Sequence, residues 1–183
     1  MRTAGFSGPM YSFEPLPDAF SILASLAILD SRWTAVNAAC GDTAGTLAIH
    51  RSRNSVSSSI LSMSQAHRAA APASAYEGDA ISCKVITLDE YFESADPLER
   101  FYLKMDVQGF EDRVLRGASN TLERVVAIET EISLTPLYEE QASWYELVGG
   151  LLADFELVDI RPGFRATDYR LLQADILMLR RNT

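Results

Sequence analysis

Residues 101–129 constrain this chain more than any other stretch. Phe101–Val107 reads as a strand, Gly109 permits a tight turn, and Phe110, Val114, Leu115, Ala118 and Leu122 fall on one stripe of a helix running from about Phe110 to Leu122. Val125–Glu129 follows and is nearly all apolar, the pattern of a strand covered on both faces. A strand, a helix and a second buried strand in close succession predict an α/β sandwich built on a mostly parallel sheet.

The rest of the chain fits that plan. Pro9–Glu14 is apolar and aromatic and is stopped by Pro15, which predicts a buried strand. From Pro17 to Leu29 the apolar positions Phe20, Leu23, Ala24 and Ala27 share a helical face, with Pro17 suited to the first turn. Thr34–Ala39 is a second strand, and after a turn at Gly41-Asp42 the segment Thr46–His50 is expected to double back from it. Ser52–Ser64 is serine-rich and His67–Ala75 alanine-rich, so the two read as a long surface excursion. Ile81–Leu88 predicts a further strand, Asp89–Phe92 a short helix, and Trp144, Leu147, Val148, Leu151 and Leu152 an amphipathic helix. The strands Phe155–Ile160 and Asp175–Arg180 lack a helix between them, so the last is expected to run antiparallel. Met1–Phe6 reads as the end of a helix, and all 183 residues are expected to form one domain.

Composition excludes several functions. Sixteen Lys and Arg against twenty-five Asp and Glu give a net charge of -9, which opposes binding to nucleic acid or anionic lipid. No apolar run approaches the ~20 residues of a membrane span. The two cysteines, Cys40 and Cys83, form no metal-binding pattern, so a reducing cytoplasm and no metal are expected.

In an open parallel sheet, ligands bind beyond the carboxyl ends of the strands. Glu14, Asn37, Asp106 and Glu129 all fall at or near such ends. Glu14 is placed to accept hydrogen bonds from ribose hydroxyls, or is a solvated acid before a proline turn. Asn37 reads an adenine edge or holds its own turn. Alternation puts Tyr102, Lys104 and Asp106 on one strand face, where a buried Lys and Asp form either a structural ion pair or an acid oriented by its lysine neighbour. The Gln108-Gly109-Phe110-Glu111 turn that follows favours the second. His67 is a further candidate base. Ser57-Ser58-Ser59 can offer hydroxyls to a sugar-like acceptor; Glu129, Glu131 and Tyr138 lie where an acceptor would reach the sheet, and Arg165, Tyr169 and Arg170 are placed to close over it.

Taken in order, these residues resemble the FkbM family of S-adenosylmethionine-dependent methyltransferases. The most specific segment is Leu103-Lys104-Met105-Asp106-Val107-Gln108-Gly109-Phe110-Glu111, extended by Val114-Leu115-Arg116-Gly117-Ala118, with Met105 where the family usually has Ile. Tyr11–Pro15, Asn37-Ala38-Ala39 with Gly41-Asp42, Ser58–Leu61, Thr87–Tyr91 and Pro136–Glu139 match as well. The resemblance implies a Rossmann-like class I methyltransferase fold with an antiparallel last strand. It implies Glu14 and Pro15 at the cofactor ribose, Asn37 and Ala38 beside the adenine, and Asp106 beside the transferred methyl. Asp106 would be the base, with Glu111 and His67 behind it, and Lys104, Gln108, Glu129 and Tyr138 would face the acceptor. The implied reaction is O-methylation of a sugar, glycan or natural-product hydroxyl. The family's opening strand and Gly-rich loop would precede Met1, that strand lying between those ending at Glu14 and Asp106. A non-catalytic chain that keeps the fold for binding or assembly is therefore the alternative expectation.

Overall fold

The structure, a computed structural model, describes residues 5–54 and 56–181. Residues 1–4 of the helix end expected at Met1–Phe6 lie outside these. In chain order the elements are β1 Met10–Phe13, α1 Pro17–Ala27, β2 Trp33–Val36, β3 Ala39–Cys40 and β4 Gly45–Ile49. Then come α2 Gln65–Ala70, β5 Ile81–Ile86, α3 Leu88–Tyr91, β6 Phe101–Met105, α4 Glu111–Arg116 and α5 Ser119–Leu122. The chain closes with β7 Val125–Ser133, α6 Trp144–Leu151, β8 Phe155–Pro162 and β9 Gln173–Arg180.

Local chemistry sets the helix starts. Pro17 opens α1, Thr87 Oγ1 accepts from the Glu90 N–H (3.1 Å) to cap α3, and Glu146 accepts from the Ser143 N–H (3.2 Å) to open α6. The single helix expected over 110–122 is instead two short ones. It breaks at Gly117, whose backbone packs against the strand-end carbonyl of Gly41. The strand expected over 34–39 also divides, because Asn37 and Ala38 leave the ladder and β2 and β3 join different sheets.

Among the described residues the strands form three sheets, in the orders β1-β2, β3-β5-β4 and β6-β7-β9-β8. β1 with β2, β3 with β5, and β6 with β7 run parallel; β4 with β5, β7 with β9, and β8 with β9 run antiparallel. The sheets are therefore mixed rather than mostly parallel. β4 reverses direction after the Gly41-Asp42 turn but pairs with β5, which lies between it and β3. The closing β8–β9 pair is antiparallel, as strands without a crossover helix must be.

The main core joins β6, β7 and β9 to the helices through Met105, Ile128, Ile176, Met178, Val114 and Leu151. The serine-rich excursion folds into the molecule rather than lying on its surface. Ser52, Ser57, Ser59 and Ser74 are buried, which is tolerated because their hydroxyls find partners. Ser52 Oγ donates to the Ser74 carbonyl (2.8 Å), and Asn54 Nδ2 donates to Ser74 Oγ (2.9 Å) and Ser57 Oγ (3.0 Å). Among the described residues, no helix is long and apolar enough to cross a membrane.

Candidate active site

β6 alternates as expected, with Leu103 and Met105 toward the core and Tyr102 and Lys104 on the other face. That face is open to solvent, so Lys104 is exposed rather than buried; among the described residues β6 is the edge strand of its sheet. Its partner is not Asp106. Lys104 stands opposite Glu129 in the β6–β7 register, and its Nζ lies 2.8 Å from Glu129 Oε1. Tyr102 donates its hydroxyl to Glu129 Oε2. The Lys104 bond and then the Tyr102 bond hold the Glu129 carboxyl below its ordinary range, and burial pushes the Tyr102 phenol up to about 12. Both acceptor-facing candidates are thus engaged with each other in a cross-strand pair.

Asp106 lies just past β6 and is exposed. The chain then turns through two left-handed residues, Gln108 (φ 52°) and Gly109 (φ 95°). Only glycine fits at 109, where a Cβ would come within 2.9 Å of the Tyr138 ring. This turn brings the Gln108 amide between two carboxyls: Nε2 donates to Asp106 Oδ1 (2.6 Å) and, at 3.4 Å, to Glu131 Oε2. Gln173 donates to the same Glu131 oxygen. Glu111, only 4% exposed, accepts the Gly109 N–H at 3.2 Å.

Burial raises Glu111 to about 7 against the pull of its backbone hydrogen bonds, and nearby Asp106 adds to the rise. Burial also raises Glu131 to about 8, with further push from Asp106, Glu111 and Asp175. Both glutamates line a cavity of about 10 Å³, together with Ser133, Gln141 and Trp144. The turn therefore sets one exposed carboxylate, Asp106, beside two carboxyls whose pKa burial raises. Among the described residues Asp106 Oδ2 takes no hydrogen bond, and no group of three or more His, Cys, Asp or Glu is placed to hold a metal.

Glu14 ends β1 half-buried. Its Oε1 accepts the Leu16 N–H (2.8 Å) at the entry to α1, which leaves Oε2 open among the described residues. Burial raises its pKa, opposed by the Leu16 bond and aided by Asp18. Asn37 spends its amide on this same turn: Nδ2 donates to the carbonyls of Glu14 (2.8 Å) and Pro15 (3.3 Å). Ala38 is buried in the main core, with its N–H on the Val36 carbonyl. A chain of contacts links the start of α1 to the turn after β6. Asp18 in α1 pairs with Arg51, the neighbouring His50 pairs with Ser59, and Ser59 Oγ donates to the Gln108 carbonyl (2.7 Å).

His67 and Tyr138 lie inside the molecule. His67 is not in a solvated loop but in α2, 3% exposed, its ring edge-on to Tyr138 with centroids 5.1 Å apart. Its Nδ1 is the buried side-chain atom left without a partner among the described residues, and burial lowers its pKa. Tyr138 is 1% exposed and donates to Gln108 Oε1 (2.7 Å). Arg165 and Arg170 bond locally, to the Tyr169 carbonyl (3.0 Å) and the Asp168 carboxylate (2.7 Å), inside the β8–β9 loop. Sequence reasoning did not single out Gln173, which reaches Glu131 only through the β7–β9 register. Nothing local in the sequence signals that pairing.

The scaffold is thus an α/β protein with an exposed acid and a half-buried acid just past the ends of two strands. A family model, that of the Methyltransferase FkbM domain, matches residues 2–171. The chain belongs to that family and is a methyltransferase. A comparison with curated proteins finds no match.

Proposed function

We propose that the protein methylates a hydroxyl on a sugar, glycan or natural product, with S-adenosylmethionine as donor, as one domain of the Rossmann-like class I type. The observation that carries this reading is Asp106. It is an exposed carboxylate at a strand end, with Oδ1 tied to Gln108 Nε2 at 2.6 Å and Oδ2 open. The donor set also suits the cofactor. Glu14 has one carboxylate oxygen committed to its own turn and one left to accept from a ribose diol, and the Asn37–Ala38 break between β2 and β3 borders the same rim.

S-adenosylmethionine, when bound, would supply an electrophilic methyl carbon and keep the electron pair of the broken S–C bond as the thioether product leaves. The protein's part is alignment and proton removal. Asp106 Oδ2 accepts the proton of the acceptor's hydroxyl as its oxygen forms the new bond to carbon. Gln108, bonded to Oδ1, leaves Oδ2 free for the acceptor. Burial raises Glu111 and Glu131 toward the neutral range, which leaves Asp106 as the exposed carboxylate of the three. His67 is buried behind Tyr138 and takes no part.

A net charge of -9 supports a small-molecule or glycan acceptor over a polyanion, and two free buried cysteines support a cytoplasmic setting. Incubation with methyl-labelled S-adenosylmethionine and a panel of glycan and polyketide acceptors tests the proposal. Label in a base-stable ether is the expected product. Label in no acceptor, with no heat of cofactor binding in calorimetry, would refute it.

A further inference from the structure

Tyr138 is an interior residue with an unusually directed hydroxyl. Its ring is wedged between the Gly109 backbone and the edge of His67, and its N–H, like that of Leu137, lies near Gln141 Oε1 (3.3 and 3.1 Å). The phenol has one proton and two acceptors in reach, Gln108 Oε1 at 2.7 Å and the Ser57 carbonyl at 3.3 Å. The shorter contact takes the proton.

That contact and the Asp106 carboxylate, which only accepts, together pin the Gln108 amide at both ends. A primary amide is nearly symmetric in shape, but one end donates and the other only accepts. With Oε1 held by the phenol, Nε2 points at Asp106 Oδ1 (2.6 Å) and Glu131 Oε2 (3.4 Å). Turned end for end, the amide would set oxygen against oxygen at the Asp106 contact. The backbone allows little other freedom, since Gln108 is left-handed (φ 52°) and its carbonyl accepts from Ser59 Oγ at 2.7 Å. We infer that Tyr138 is a positioning residue for methyl transfer: its hydroxyl orients the Gln108 amide, and the amide aims the Asp106 carboxylate. This rests on the reading of Asp106 as the proton acceptor.

The test is a cycle of Tyr138→Phe, Gln108→Ala and the double variant, with kcat, KM for the methyl donor and the side-chain amide NMR signal of Gln108 as readouts. Tyr138→Phe is expected to lower kcat about tenfold, as loosened alignment does, with KM unchanged within about twofold. The double variant is expected to be no slower than Gln108→Ala alone, because the phenol acts through the amide. The Gln108 amide signal is expected to move in Tyr138→Phe, a readout that needs no turnover. Gln108→Glu keeps the acceptor for Tyr138 and loses the donor to Asp106, so it is expected to be at least as slow. A Tyr138→Phe protein with full kcat and an unmoved amide signal would overturn the inference, as would additive losses in the double variant. A moved signal in a protein that transfers no methyl would establish the Tyr138–Gln108 link and refute the functional reading instead.

Discussion

The carbonyl oxygen of Gly41 lies 1.9 Å from the point where a side chain on residue 117 would place its Cβ. Two backbones meet there, the end of β3 and the link between α4 and α5, and only Gly117 lets them touch. The contact carries α4, and with it the Glu111 carboxyl, against the strand ends. Gly117→Ala is expected to destabilise the fold by more than ~2 kcal/mol, since neither backbone can yield as a flexible side chain would. Urea unfolding checks this; a loss within the scatter of surface substitutions would show that the junction is loose.

Asp89 fastens the next helix. Its Oδ1 accepts from the Thr121 N–H (2.7 Å) and Thr121 hydroxyl (2.8 Å), and its Oδ2 from the Asn120 N–H (3.0 Å). Removing these acceptors leaves the first turn of α5 without them. Asp89→Ala is expected to cost about 1–2 kcal/mol, and Asp89→Asn less because it keeps one acceptor oxygen. Equal losses for the two, by urea unfolding, would contradict the capping role.

Glu131 sets a pH dependence whose sign follows from its raised pKa. The native state keeps this proton while the unfolded chain loses it, so stability falls as pH rises from 4.5 through about 8. Glu131→Gln removes that loss and keeps an acceptor for the Gln108 and Gln173 amides. At pH 8 the variant is expected to be more stable than the parent by on the order of 1–3 kcal/mol, with the gap closing toward pH 5. Unfolding midpoints across that range decide it, and a variant that is weaker at every pH would contradict the buried proton.

His67 works in the opposite direction. Its pKa is lowered by burial, so the native state resists the proton that the unfolded chain takes up, and stability falls as pH drops through 6.5. The Leu137 carbonyl beside it also accepts from the Ser64 N–H (2.9 Å), so an apolar ring leaves no acceptor stranded. His67→Phe is expected to lie within about 1 kcal/mol of the parent at pH 7.5 and to gain on it below pH 6. The same variant is expected to retain methyl transfer. Its loss with the fold intact would return His67 to the list of bases.

Much of this was legible along the chain. Alternation in 101–105, the stripe through Val114 and Ala118 and the helix-less closing strands are local patterns, and they describe the elements that formed. The segment from Leu103 to Glu111 likewise marked the turn where Asp106, Gln108 and Glu111 meet. What escaped was set by distant contacts. Gly41 splits the helix at Gly117, an uncovered sheet face exposes Lys104, and register hands it to Glu129. Tyr138 was expected at the acceptor, yet it closes over the Gly109 backbone inside the fold. Serine-rich composition suggested solvent, but reciprocal hydroxyl and amide bonds bury Ser52, Ser57 and Ser74.

The central claim is that one open carboxylate takes the acceptor's proton. Asp106→Asn keeps the side chain's shape and removes that basicity, so the measurement is single-turnover methyl transfer from labelled S-adenosylmethionine, with cofactor affinity measured alongside. The account predicts transfer slowed by about 10²-fold or more at near-parental affinity. Parental rates in Asp106→Asn would contradict it.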